Sequence, residues 1–152
     1  KAAGIAAKPI YPGEKAYTKA VLEVLTKYKP SEIEMTIDGG APTHERCTII
    51  EMANGRFFGG GMLVAPGSHA DDGLIDVVVV DIVPRWAIPF LLPLFKLGLH
   101  VYLPIAHVIR AKEIVLRAKD MVINIDGNLK EMDEAHYRVM PGALRVKLVK
   151  KA

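Results

Sequence analysis

The sequence predicts a mainly β fold: an antiparallel β-sandwich with an N-terminal amphipathic helix and short helices in an insertion at residues 83–104. Three observations predict it. Short runs that alternate apolar and polar residues, or that are rich in β-branched residues, recur along most of the chain. Turn dipeptides and glycine clusters separate these runs at intervals too short for helical crossovers between parallel strands. Only residues 14–28 show the three- and four-residue apolar spacing of a surface helix.

In that helix Ala16, Tyr17, Ala20, Val21, Val24 and Leu25 line one face while Lys and Glu fill the other. Lys29-Pro30 ends it, because proline disfavours the helical conformation of the residue before it. The period then drops to two. Ile33, Met35 and Ile37 alternate with Glu32, Glu34, Thr36 and Asp38, a half-buried strand closed by Asp38-Gly39-Gly40. Residues 47–52 form a short apolar strand ending at Asn54-Gly55, a strong turn dipeptide. Gly59-Gly60-Gly61 and Met62-Leu63-Val64-Ala65-Pro66 follow. Residues 74–82 are the most β-branched stretch and are expected to form a central strand covered on both faces. Residues 114–116, 121–125 and 143–149 complete the series.

The insertion at 83–104 is almost uncharged, and about 20 apolar residues suffice to span a bilayer. Pro89 and Pro93 would break intrahelical hydrogen bonds, however, and Lys96 and His100 lie inside the stretch. A transmembrane reading is therefore rejected. Short helices packed on the sheet are expected, with lipid docking or the lining of an acyl-chain pocket as the alternative.

Composition agrees with one folded domain over residues 1–152: 51% of residues are apolar and 24% charged. A net charge of +3, thinly spread, excludes a nucleic-acid footprint but permits weak attraction to an anionic membrane. The single cysteine, Cys47, excludes an intramolecular disulfide and fits a reducing, cytoplasmic compartment. Lys1-Ala2-Ala3-Gly4 has neither an initiator Met nor the apolar segment of a secretory leader, so the sequence is expected to begin within a larger protein.

Three clusters could carry chemistry. Asp71, Asp72 and Asp76 stand within six residues around Gly73, where carboxylates and turn carbonyls can offer oxygen ligands to Mg²⁺ or Ca²⁺. A solvated turn with aspartate caps explains the same residues. Asp126 ends the apolar run 121–125 and precedes Gly127; a carboxylate there could accept a proton from a substrate hydroxyl, and an ordinary hairpin turn is the plain alternative. The glycine triplet suggests a phosphate cradle but lacks the Lys-Ser/Thr and helix start that would support it, so a bulge or tight crossing is expected. No catalytic triad and no zinc-spaced Cys/His set appears.

Taken in order, Asn54-Gly55-Arg56-Phe57-Phe58-Gly59-Gly60-Gly61-Met62, Ala65-Pro66, Asp71-Asp72-Gly73-Leu74-Ile75-Asp76 and Ile125-Asp126-Gly127 resemble the C-terminal half of the diacylglycerol kinase catalytic superfamily. That group includes bacterial soluble lipid kinases and the sphingosine and ceramide kinases. The resemblance implies a β-sandwich, substrate-side domain of an enzyme that moves the γ-phosphoryl group of ATP to a lipid hydroxyl. It implies Asp126 as general base, Gly127 and Asn128 beside the nucleotide, and a structural Mg²⁺ held by the Asp72 carboxylate and the main-chain oxygens of His69 and Leu74, with Ca²⁺ as the alternative ion. Asn128 departs from the family, which has Glu there.

The family's Gly-Gly-Asp-Gly-Thr nucleotide loop and first sandwich strands do not occur in the sequence. The N-terminal nucleotide-binding domain is thus expected to be a missing partner, and the isolated chain to be inactive. The alternatives are a non-catalytic lipid-binding or regulatory module, or a dimerisation module. Expected partners are the lipid substrate, the membrane surface through peripheral contact, and a second copy of the chain that pairs an open sheet edge.

Overall fold

The computed structural model describes residues 30–59, 61–126 and 128–145. The helix expected at 14–28 lies outside the described residues. Six strands form one antiparallel sheet: β1 (Ser31–Ile37), β2 (Thr43–Ala53), β3 (Ile75–Asp81), β4 (Ala106–Ala111), β5 (Glu113–Ile125) and β6 (Asn128–Arg138). Their spatial order is β4-β3-β2-β1-β5-β6. The mainly β, antiparallel expectation is met, and hydrogen bonds join all the described strands into one sheet.

β3 shows why. Its Ile75–Val80 run is buried at every position, flanked by β2 and β4. Val77 and Val79 enter one apolar cluster with Met35, Cys47, Ile114 and Leu116. Val78 and Val80 enter a second with Ala53, Val64, Ala65 and Phe95. Successive strand residues point to opposite faces, so an unbroken β-branched run is stable only where both faces are covered. Full burial of each such side chain is worth about 1.5–3 kcal/mol.

The second cluster is covered by the 83–104 insertion, which forms a 3₁₀ turn (Arg85–Ala87), helix α1 (Ile88–Leu97) and another 3₁₀ turn (His100–Tyr102). Pro89 sits in the first turn of α1, where its missing N–H costs nothing, and Pro93 lies inside the helix. Gly98 ends α1 in the left-handed conformation at φ 71°. It is also a close approach: a Cβ there would stand 2.8 Å from Leu63 Cδ2 and from Pro66 Cγ. Ile88 and Phe95 face inward. The gap between α1 and the sheet is a cavity of about 20 Å³ bordered by Ile49, Val80, Val83, Leu91 and Phe95, room for about one water. No described helix is long and apolar enough to cross a membrane.

Several strand boundaries differ from the sequence reading. β4 and β6 were not anticipated. β6 is an outer strand dominated by polar and charged residues, so periodicity had no apolar face to detect. The runs 114–116 and 121–125 are parts of one strand, β5, whose pairing with β6 shifts register between Arg117 and Met121, with Asp120 at φ 52°. β2 starts at Thr43 because its polar opening residues pair with β1. Of the strand expected at 143–149, residues 143–145 are irregular and the rest lie outside the described residues. Asp38, at φ 48°, ties the β1–β2 turn to the β4–β5 corner: its Oδ1 accepts the Lys112 and Glu113 N–H groups, each at 2.8 Å.

Candidate functional site

Asp126 occupies the tip of the β5–β6 hairpin. Ile125 pairs with Asn128 across the hairpin, and Asp126 takes φ 47°. Aspartate tolerates this left-handed region better than most residues, which fits the Asp-Gly pair to a tight hairpin. Its carboxylate is exposed. Gly127 lies outside the described residues, and Asn128 opens β6 as an exposed residue.

A second carboxylate stands near it, one that the sequence reading placed only as part of a strand. Glu51 on β2 pairs with Val78, and burial pushes its carboxyl up to about 7, with the negative charge of Asp126 adding to the effect. Burial, and then the charge of Glu51, likewise raise the Tyr137 hydroxyl. Asp126 and Tyr137 lie at opposite ends of the β5–β6 pairing, where a straight β6 would hold them about 30 Å apart. The charge of Asp126 nonetheless acts on Glu51 and that of Glu51 on Tyr137, and the apolar residues beyond the irregularity at Arg117–Met121 turn toward the core. Met121, Ile123 and Met132 accordingly pack on the same core as Met35 and Val77. The only sequence signal for Glu51 is an acid inside an otherwise apolar run, Thr48-Ile49-Ile50-Glu51-Met52.

The second cluster assembles around Asp72. The Asp72 N–H meets the His69 carbonyl at 3.4 Å, Gly73 turns the chain at φ 74°, and the Leu74 N–H donates to Asp72 Oδ1 at 2.9 Å. His69 Nδ1 donates to the Gly67 carbonyl at 2.8 Å. The other Asp72 oxygen, Oδ2, accepts a hydrogen bond from the Arg110 guanidinium. Arg110 faces Asp76 across the β3–β4 pair, and its Nε lies 3.4 Å from Asp76 Oδ1. Asp76 is only 2% exposed, and its Oδ2 has no hydrogen-bond partner.

A divalent ion needs free, deprotonated oxygen ligands. Both oxygens of Asp72 are engaged, and among the described residues no group of three or more His, Cys, Asp or Glu side chains is placed to hold a metal. As arranged, Asp72 has no oxygen free of a donor to join the main-chain oxygens of His69 and Leu74 on Mg²⁺ or Ca²⁺.

Phe58 and Met62, on either side of the glycine run, exchange two backbone hydrogen bonds, at 2.9 and 3.0 Å. No helix follows it, so it lacks the N-terminal amides of a phosphate cradle. Gly60 lies outside the described residues. The outer side of the 83–104 insertion is apolar and open: Trp86 is 74% exposed and Tyr102 81%, with Phe90 and Leu97 also exposed. Between Asp81 and Glu113 the chain has no acidic residue but carries Arg85, Lys96, Arg110 and Lys112.

Comparison with known proteins places these features in context. The family described as the YegS C-terminal NAD kinase beta sandwich-like domain matches residues 2–148. A diacylglycerol kinase of Mycobacterium tuberculosis is 28% identical over 134 residues, covering 88% of this chain and 43% of that protein. A probable YegS-like lipid kinase of Pseudomonas fluorescens is 30% identical over 105 residues, covering 69% of this chain and 35% of that protein. The crystal structure of a diacylglycerol kinase from Bacillus anthracis superposes with a TM-score of 0.56 at 18% identity, over 80% of this chain and 44% of the other. This chain thus spans less than half the length of the curated relatives it matches.

Proposed function

Because this chain belongs to the family of the YegS C-terminal NAD kinase beta sandwich-like domain, we propose that it is the substrate-side part of an ATP-dependent lipid kinase. The relatives it matches carry the names of diacylglycerol and lipid kinases. The reaction is transfer of the ATP γ-phosphoryl group to a hydroxyl of a diacylglycerol- or sphingoid-type lipid. The observation that carries this reading is the exposed carboxylate of Asp126, held in a left-handed turn at the hairpin tip.

In this reading Asp126 accepts the hydroxyl proton as the lipid oxygen attacks the γ-phosphorus and ADP leaves. Mg²⁺ travelling with ATP supplies neutralisation of phosphate charge. Asn128 cannot ionise, so on this side of the nucleotide the hairpin offers an amide where the family offers a carboxylate. Glu51 is the other acidic group beside Asp126, and it keeps a negative neighbour near the base only above neutral pH. Phosphoryl transfer depends on positioning and charge stabilisation, so the nucleotide loop must come from residues outside this sequence, and the chain by itself is expected to be inactive. On this reading the enzyme works in the cytoplasm, in peripheral contact with the membrane that holds its substrate.

A second reading, a non-catalytic lipid-binding module, is favoured by one observation, the open apolar face of the 83–104 insertion. The test is transfer of labelled phosphate from ATP to diacylglycerol, sphingosine and ceramide by the protein that contains this chain. Transfer to one of them is expected, and Asp126→Asn should lower turnover by roughly 10²–10⁴ with ATP binding retained. Near-normal turnover in that variant removes Asp126 as base, and no transfer to any lipid leaves the binding module.

A further inference from the structure

We propose that Arg110 is the resident cation of the Asp71–Leu74 turn, holding Asp72 and Asp76 together in the place where the family resemblance implies a divalent metal. The proposal rests on side-chain geometry and does not depend on the phosphoryl-transfer reading.

The arrangement follows from strand register. Asp76 is the second residue of β3 and lies directly opposite Arg110 on β4, so the two side chains share one side of the antiparallel pair. Asp72 sits just before β3, and the Asp72 Oδ1–Leu74 N–H bond turns its carboxylate toward the same strand. The guanidinium, a planar fork of five donors, reaches both acids: one nitrogen bonds Asp72 Oδ2 and Nε approaches Asp76 Oδ1. A lysine, with one ammonium, could not span them in this way.

Burial gives the contact its purpose. The Asp76 side chain is 3% exposed, and a buried carboxylate without a counter-charge is strongly unfavourable. Arg110 supplies that charge from the solvent side, its own side chain remaining 47% exposed. A divalent ion at Asp72 Oδ2 would have to expel the guanidinium and leave Asp76 without its partner. Asp76 Oδ2, still without a hydrogen bond, marks where a cation would find an open oxygen once Arg110 is removed.

The experiment is thermal unfolding of the purified protein without nucleotide, in EDTA, in MgCl₂ and in CaCl₂ at matched ionic strength. Any ion that binds the folded state alone raises Tm by mass action. The expected result is a wild-type Tm that is the same in all three buffers. Arg110→Gln should lower Tm in EDTA by about 2–4 °C or more, and should acquire a rise on adding Mg²⁺ or Ca²⁺ as the vacated carboxylates take up the ion. Arg110→Lys should recover only part of the loss. The proposal is overturned by a saturable rise of the wild-type Tm with Mg²⁺ or Ca²⁺ that Asp72→Asn abolishes, or by an Arg110→Gln protein as stable as wild type. The wild-type titration decides the metal question even where Arg110→Gln does not fold.

Discussion

The imidazole of His100 lies flat against the ring of Phe95, with centroids 3.9 Å apart and planes inclined by 11°. Its Nε2–H donates to the Val64 carbonyl at 2.9 Å. One side chain therefore ties the end of α1 to the segment before β3, in a spot where His100 is 1% exposed. Burial lowers its proton affinity below the usual histidine value, against the opposite pull of the Val64 and Leu94 carbonyls.

This contact predicts an acid sensitivity. A histidine whose folded pKa is depressed binds protons more readily in the unfolded chain, so its contribution is fully present above pH 6.5 and is lost as pH falls. Unfolding free energy measured by urea titration should decline below pH 6.5, and His100→Leu should flatten that decline. The variant should also lose the stacked contact, worth about 0.5–1.5 kcal/mol. An unchanged slope in His100→Leu would assign the decline to other groups.

Glu51 predicts the opposite slope. Its folded pKa of about 7 exceeds the ordinary 4.5, so the fold binds its proton more tightly than the unfolded chain does. The stability it contributes is complete below pH 4.5 and is lost as pH rises through 7. Glu51→Gln, which keeps the shape without the charge, should be more stable than wild type at pH 8, by up to about 2–3 kcal/mol. At pH 4 the two proteins should match. Equal stability at both pH values would show that the Glu51 carboxylate reaches water.

The 83–104 insertion predicts membrane contact by its outer face. Trp86, in the turn before α1, and Phe90 and Leu97, on α1, are all exposed, and Arg85 and Lys96 stand beside them in the chain. An amphipathic face of this kind binds at the headgroup boundary, helped by anionic lipid. In vesicle flotation the protein should bind weakly to phosphatidylcholine alone and better with an anionic lipid added, with salt reducing the gain. The double variant Trp86→Ala/Phe90→Ala should lose most of the binding while its melting curve stays near wild type. Unchanged binding would move the contact to another surface.

Much of the fold was legible from local pattern. The alternation of Ile33, Met35 and Ile37, the β-branched run into β3 and the proline-punctuated helix of the insertion are each set by side chains within a few residues of one another, and each forms where expected. Turn chemistry was equally local: Asp38-Gly39 closes the β1–β2 turn, and Asp126 stands at the tip of the β5–β6 hairpin. Ordered motifs also pointed to the family that matches the chain.

Tertiary structure alone decided the rest, because the deciding contacts join residues far apart in the chain. β6 carries no apolar period and becomes a strand only because β5 offers it a partner along its length. Nothing near Glu51 in sequence says that the charge of Asp126 will reach it; burial of Glu51, with that charge added, raises its proton affinity. Arg110 lies 38 residues from Asp72, and only the β3–β4 register sets its guanidinium between two acids. Periodicity reports which face a residue occupies. Charge pairing and desolvation depend on what the opposite strand puts there, and that is a property of the packed chain.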